Sequence, residues 1–456
     1  MRKKCQKQLP LMITRIDHPH AHELQAVNQI LDSNPIINEW VLQDLTRDKV
    51  MLTDTGAEGM TAEQVVRAAI IKQMESFSYE DLAFHLLDSI CYRNFCKIGI
   101  ADKGFQKSAL CANIKAISPE TWESINRLLV AYGQNKKIEK GKQSRIDCTV
   151  VSSNIHEPTD SSLLWDSVRV ITRMLGKIKE QFEDLNISYT DHTKRAKRRM
   201  LGVLNAKNKK VRKKEYQDLL KVTHKTVSYA ETALPLLENQ ALKNLSLFET
   251  ARSMADELKE ILRLTQKVID QTTRRVIHDE SVPASEKIVS IFEPHTDIIK
   301  KDRRDTFYGH KVCLSGGASN LITDCLILDG NPADSDLTGQ MLDRHNEIYG
   351  HYPLKTALDG GFASKTNLAS AKSKGIKDVC FAKKRGLDEE DMCRSSWVYK
   401  RLRRFRAGIE SGISWLKRCF GLTRCTWKSL RSFKSYVWAS IVSANLLTLA
   451  RCEVQI

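Results

Sequence analysis

Three carboxylates in this sequence stand where an ionised side chain is either rigidly held or costly. The run Leu354-Lys355-Thr356-Ala357-Leu358 is short and largely apolar, and it leads into Asp359, Gly360, Gly361 and Phe362. It reads as a buried strand that ends in a carboxylate and then turns. Rigid placement at the edge of a core is what a metal ion requires of a ligand. Asp147 interrupts a second run, Ser144 to Val151, rich in β-branched residues. An acid inside a buried strand is costly unless it is paired or binds a cation. Towards the C-terminus, Arg406, Glu410 and Lys417 share one face of a helical pattern at about 3.6 residues per turn, in the order base, acid, base. An exposed ion-pair ladder gives the same pattern, but apolar Trp415, Leu416, Phe420 and Leu422 follow, so this helix is docked on something. Asp334, Asp343 and the cluster Glu389 to Asp391 compete for the third place. Asp334 reads more simply as a helix cap after Pro332, and the acidic cluster sits in a polar loop.

The elements that must position these groups can be followed along the chain. Asp17-His18-Pro19-His20 is turn-like, and Leu24 to Leu31 forms a short helix. Helical spacing begins at Thr61, whose Thr61-Ala62-Glu63-Gln64 start has the form of a cap. Further helices start at Ser78 and at Ser118-Pro119, where a Ser cap precedes Pro at the first helical position. After a basic linker from Lys136 to Lys142 comes the Asp147 strand. Leu163 to about Val276 is helical and heavily charged. Its basic cluster runs Lys194, Arg195, Lys197, Arg198, Arg199 and on to Lys207 through Lys214. A solvated helix face would look the same, but in so basic a chain the cluster points to DNA phosphates, with salt-dependent affinity and no sequence reading. Lys287 to Phe292 is expected as a strand. Phe307 to Leu314 and Leu321 to Leu328 form a hairpin around Gly316-Gly317. A helix starts at Asp334, and Asp378 to Ala382 is the last strand.

Composition narrows the class. The chain has 456 residues, 41% of them hydrophobic, enough for a sizeable core or two to three modules. The formal net charge of +17 favours a polyanion partner, nucleic acid before anionic membrane. No apolar stretch approaches 20 residues, and no signal peptide follows Arg2, Lys3 and Lys4. The tail Tyr436 to Leu449 is expected as a buried core helix. The 12 cysteines contain no Cys-x-x-Cys pair and read as reduced thiols in the cytosol.

Without the helical insertion, three strands come first and helices then alternate with two more, the order of a ribonuclease-H-like fold. Asp147 lies on its first strand and Asp359 ends its fourth. The pieces Ile146 to Val151, Pro158 to Leu164, Tyr308-Gly309-His310-Lys311, Gly330 to Ser335, Leu358 to Phe362, and Arg406 with Glu410 and Lys417 resemble a bacterial insertion-sequence transposase of the DDE type. The resemblance lies in the broad group of insertion-sequence families four and five, nearest the ISNCY-type branch. Arg403 stands where that group often has Tyr. The resemblance implies an α/β, ribonuclease-H-like catalytic domain over 143–160 and 284–456. A basic helical insertion over 161–283 would follow the first strand, and an all-helical DNA-binding domain over 1–135 would precede it. Asp147, Asp359 and Glu410 would be catalytic and would bind two divalent ions, Mg2+ with Mn2+ as a substitute. Arg406, Lys417 and the five residues from Lys194 to Arg199 named above would contact DNA. The implied partners are double-stranded transposon ends and target DNA, met by a homodimer in the bacterial cytoplasm at the nucleoid, with no membrane role. The implied activity is metal-dependent cleavage and strand transfer. A nuclease of the same fold that never joins strands, or an inactive DNA-binding relic, are the rival expectations.

Overall fold

The computed structural model describes residues 3–4, 16–47, 59–99, 101–243, 248–300 and 305–454. Arg2, Cys5 and the start of the helical region before residue 59 lie outside them. The chain forms two compact units, one joining 1–153 to 310–456 and the other comprising 154–309.

The first unit opens with helices α1 (Pro19–Asp32), α2 (Ile36–Thr46), α3 (Ala62–Met74), α4 (Tyr79–Asp88), α5 (Ile90–Phe95), α6 (Lys107–Ala116) and α7 (Pro119–Asn135). The expected starts hold for local reasons. Thr61 and Gln64 exchange hydrogen bonds in a capping box at 3.0 and 3.1 Å. Ser78 and Asp81 do the same for α4. Ser118 caps α7 ahead of Pro119, and its own N–H donates to buried Asp44 at 2.8 Å. Helix α1 starts inside the segment expected to be turn-like, because Pro19 takes its first position and His18 caps it.

Strand β1 (Gln143–Ser152) follows. The second unit then contributes α8 (Asp160–Gln181), α9 (Thr193–Leu204), α10 (Lys209–Lys243), α11 (Phe248–Thr272) and β2 (Asp297–Lys300). Strand β3 (Thr306–Gly316) begins in that unit, where its first residues pair antiparallel with β2. From His310 the chain is again part of the first unit. There follow β4 (Ile322–Ile327), α12 (Thr338–Tyr349), β5 (Lys355–Leu358), α13 (Lys365–Ser373), β6 (Asp378–Phe381), α14 (Glu389–Met392), α15 (Ser396–Cys419) and α16 (Leu430–Val454).

The sheet of the first unit is mixed. Strands β3 and β4 form an antiparallel hairpin, while β1 pairs parallel with β5 and β5 with β6. The order is β4-β3-β1-β5-β6. One apolar cluster joins the N-terminal helices to β3, β4, α15 and α16. Helix α16 is its axis: Val437, Ala439, Ile441, Val442, Leu446 and Leu449 are all buried. Burying each large aliphatic side chain contributes about 1.5–3 kcal/mol. By length and composition α16 could cross a membrane, but 72% of its most apolar window is covered by the fold. An apolar surface all round the axis is what a core helix needs.

A polar residue inside this helix closes β4. Buried Asn445 accepts from Ile322 N–H at 2.9 Å and donates to the Ile322 carbonyl at 2.8 Å, with Asn126 held at 2.7 Å. Its amide takes the place of a neighbouring strand, so no backbone group there is left unpaired.

The second unit has its own core. Helix α10 packs on α8, α9 and α11, and Leu164, Ile171, Leu219, Ala230, Leu258 and Val268 fill the space between. Three expectations are corrected. Lys287 to Phe292 is not a strand. Gln271 takes both backbone groups of Ile288, at 2.9 and 3.2 Å, and Ile288 turns into the helical core, so a side chain replaces the ladder. The strand lies later, at β2. Asp334 caps no α-helix: a 3-10 turn spans Asp334–Leu337 and α12 starts at Thr338. The acidic cluster at Glu389 to Asp391 forms the short helix α14 rather than a loop.

Asn445→Ala should cost about 2–3 kcal/mol, because it strands the buried Ile322 N–H and the Asn126 side-chain oxygen and leaves the Ile322 carbonyl with only the longer bond from Asn126. Urea unfolding of the full chain measures it, and an unchanged midpoint would contradict the role given to this amide.

Candidate active site

Side chains on β1 alternate between its two faces. Ile146 and Cys148 join the apolar cluster around Leu358 and Phe381. Arg145 and Asp147 belong to the opposite face, with Val151, which packs in the cluster around α16. The register of the parallel pair sets Ile146 opposite Leu358. Asp147 and Asp359 are therefore the next residues along two neighbouring strands and leave from the same face. Strand spacing, about 4.8 Å, brings the two carboxylates together without any long side chain.

Helix α15 supplies the third acid, and a close contact seats it. Arg145 reaches up from β1, stacks its guanidinium 4.8 Å over the Phe405 ring and donates to the Phe405 carbonyl at 3.2 Å. Its other terminal nitrogen donates to Asn320 Oδ1 at 2.6 Å. A methyl group on Gly408 would lie 1.7 Å from Arg145 Nη1. With the guanidinium held in this place, a side chain at position 408 would collide with it, so glycine lets the helix come down this far without moving Arg145. Neither Arg145 nor Gly408 was expected at the site, since the need for each arises only when helix and strand meet.

From this seat Arg406 points into the acids. Its Nη1 lies 2.9 Å from Glu410 Oε1, 3.3 Å from Asp359 Oδ1 and 4.0 Å from Asp147 Oδ2. The structure thus brings Asp147, Asp359 and Glu410, from three separate elements, around one guanidinium. Neither Nη1 nor Nε of Arg406 has an aligned hydrogen-bond partner among the described residues, so these approaches are charge pairs without directed bonds. Arg406 and Asp147 are mostly covered, while Glu410 is half exposed, so the site opens on the Glu410 side. Lys417 lies two turns beyond Glu410 on α15, half-buried. Arg403, one turn before Arg406, is exposed.

Burial pushes the Asp147 carboxyl up to about 6. The Cys148 N–H at 2.7 Å and Arg406 pull it down, and Asp359 and Glu410 push it up. Even beside Arg406, its covered position disfavours the ionised form of Asp147. Among the described residues no set of three His, Cys, Asp or Glu side chains is arranged to hold a metal ion as it stands; the Arg406 guanidinium stands between the acids. The donor set itself fits one: three carboxylates are hard oxygen ligands of the kind that suit Mg2+ or Mn2+.

Asp334, Asp343 and Glu389 are engaged elsewhere. Asp334 pairs with Lys311 at 2.6 Å, and a Cβ on Gly361 would meet its carboxylate, so Asp334 packs behind the Asp359 turn. Asp343 pairs with Lys374 and accepts from Tyr352. Glu389 pairs with Lys384 at 2.9 Å. His310 is buried edge-on against Phe433.

In the second unit, the basic residues on α9 divide into two groups. Arg195 and Arg199 both bind Asp218 at 2.5 Å, and Arg199 also reaches Glu215 at 3.2 Å. These two hold α9 against α10. Lys194, Lys197 and Arg198 are exposed. Asp160 accepts from Gln271 and Arg275, at 3.0 and 2.7 Å.

Two family models match the chain. One, described as a transposase DDE domain, covers residues 268–446. The other, described as a transposase domain (DUF772), covers residues 14–116. The first includes Asp359, Arg406, Glu410 and Lys417, and Asp147 lies outside both. No curated protein and no solved structure matches the chain.

An acid whose folded carboxyl titrates near 6 favours its neutral form, so metal-free stability falls as pH rises from about 4 to 6 and stays low above. The full loss is about 3 kcal/mol. Asp147→Asn should therefore raise the melting temperature in EDTA more at pH 7.5 than at pH 4.5. Equal gains at both pH values would contradict the cost of ionising Asp147 in the fold. Gly408→Ala should destabilise the fold by about 1–3 kcal/mol through overpacking against Arg145; wild-type melting behaviour would show that the seat is not tight.

Proposed function

We propose, from the premise that this chain is an insertion-sequence transposase of the DDE type, that Asp147, Asp359 and Glu410 are its catalytic acids and together hold two divalent cations. The chain is an enzyme that acts on DNA. The observation that carries the site assignment is the meeting of three acids, from β1, the end of β5 and α15, on one guanidinium nitrogen. The order β4-β3-β1-β5-β6 supports a ribonuclease-H-like domain around them. Bound by these acids, Mg2+ or Mn2+ would activate water or a DNA 3′-hydroxyl and neutralise charge on the leaving oxygen in an in-line displacement at phosphorus.

The chain's own residues do the rest. Asp147 and Asp359 are fixed by strand register and set the position of the reacting phosphate. Glu410 sits on the exposed side and closes the set from the helix. Arg406 is the counter-charge that lets three acids share the site, and its covered position suits it to a phosphate arriving at the same point. Lys417 adds a second phosphate contact along α15. Lys194, Lys197 and Arg198 offer exposed charge to DNA in the second unit, while Arg195 and Arg199 serve mainly to hold α9. The N-terminal helices recognise the element's ends, and the enzyme works as a homodimer that pairs two ends before joining them to target DNA.

The full-length protein, incubated with Mg2+ and a duplex carrying the DNA that flanks its own gene, should nick at the element's ends. Asp147→Ala, Asp359→Ala and Glu410→Ala should each lower the rate on the order of 10³-fold while leaving duplex binding intact. Nicking that survives all three changes would remove the assignment.

A further inference from the structure

The second unit contains an open pocket of about 740 Å³, lined by six cationic side chains: Lys207, Lys209, Arg212, Lys213, Arg275 and Lys287. Three acids also line it, and all three are already engaged. Asp279 binds Lys209 at 2.8 Å, Asp160 binds Arg275 at 2.7 Å, and Glu280 binds Arg274 at 3.2 Å. Lys213 donates to the Ile277 carbonyl at 2.8 Å. Among the described residues no carboxylate forms an ion pair with Lys207, Arg212 or Lys287. Burial and the nearby Arg275 charge hold the Lys287 ammonium below its ordinary range.

The pocket is also built at the wrong end of a helix for so many cations. It lies at the start of α10, whose first turn contains no acid. A helix N-terminus carries partial positive charge and is stabilised by acidic side chains. Here the chain instead places Lys209, Lys210, Arg212, Lys213 and Lys214 on the first turns. Cations on a positive dipole repel each other and the helix; Asp279 and Asp160 offset part of this charge, and an outside anion would relieve the rest.

We propose that this pocket is a binding site for the sugar-phosphate backbone of duplex DNA, with Lys207, Arg212 and Lys287 as its phosphate contacts. The proposal extends the DNA-acting reading above and rests on it. The cavity is far larger than one phosphate group, and the three cations come from separate segments: the α9–α10 turn, α10 itself, and the chain after the 3-10 turn Ala284–Glu286. All three line the same open pocket. As phosphate contacts, these three side chains add affinity without sequence preference.

The test is the salt dependence of binding by the full-length protein, followed by fluorescence anisotropy on two duplexes of equal length. One carries the DNA flanking the gene and the other is unrelated. Each lost phosphate contact should reduce the slope of log K against log salt by about 0.9. The combined Lys207→Ala, Arg212→Ala and Lys287→Ala variant should lose about 2.7 of slope on both duplexes. Lys207→Gln, at an exposed loop position, should alone lose about 0.9. Combined Lys177→Ala, Lys179→Ala and Lys225→Ala, on exposed helix positions outside the pocket, should keep the wild-type slope. Wild-type slopes in both pocket variants would overturn the site alone. A wild-type protein that binds neither duplex would overturn the DNA reading and this site with it.

Discussion

Three carboxylates cannot share a partly buried space unless positive charge is brought to them. In this fold the charge comes from Arg406, one turn from Glu410 on the same helix and within 4.0 Å of an oxygen on each acid. The guanidinium is wide and permanently charged, so it can face several carboxylates at once without giving up its proton. It does so without aligned hydrogen bonds, and that makes the arrangement a general charge balance more than a fixed lock. Asp147 is still pushed up to about 6. The site is assembled by the fold, and ionising its most covered acid carries a cost there.

Everything that delivers Arg406 and Glu410 to this point depends on how close α15 comes to β1. That approach is controlled by one stack and one missing side chain: Arg145 against Phe405, with Gly408 above it. A second close approach, Gly361 against Asp334, supports the turn that follows Asp359. The acids occupy rigid strand ends, and the residues that set their spacing are small or stacked neighbours that never meet the reacting atoms. This is the usual division between groups that act and groups that hold them in place.

Much of this was legible along the chain. Asp147 and Asp359 stood out because each breaks or ends a buried apolar run, and Arg406 with Glu410 stood out by helical spacing. The caps at Thr61, Ser78 and Ser118 are local chemistry and were read locally. What is not legible depends on partners far away in sequence. Lys287 to Phe292 looks like a strand, but Gln271 satisfies its backbone from another helix. Asp334 looks like a cap, but Lys311 takes its charge. Arg195 and Arg199 look like free basic residues, but Asp218 holds both. Gly408 carried no signal at all, because its reason is an arginine on another element.

The alternation of β1 has a consequence for how such a chain can vary over time. Surface loops absorb gained or lost codons with little harm, since no facing order is at stake. Loss of a single codon between Asp147 and Ser152, with the far end of β1 held in register, would turn over the part of the strand that carries Asp147. The carboxylate would turn into the oily layer, an isoleucine would take its place at the opening, and the arginine beneath the helix would vanish from its seat. A deletion that keeps the reading frame would thus take the carboxylate out of the cluster, while leaving a polypeptide of almost unchanged length and composition.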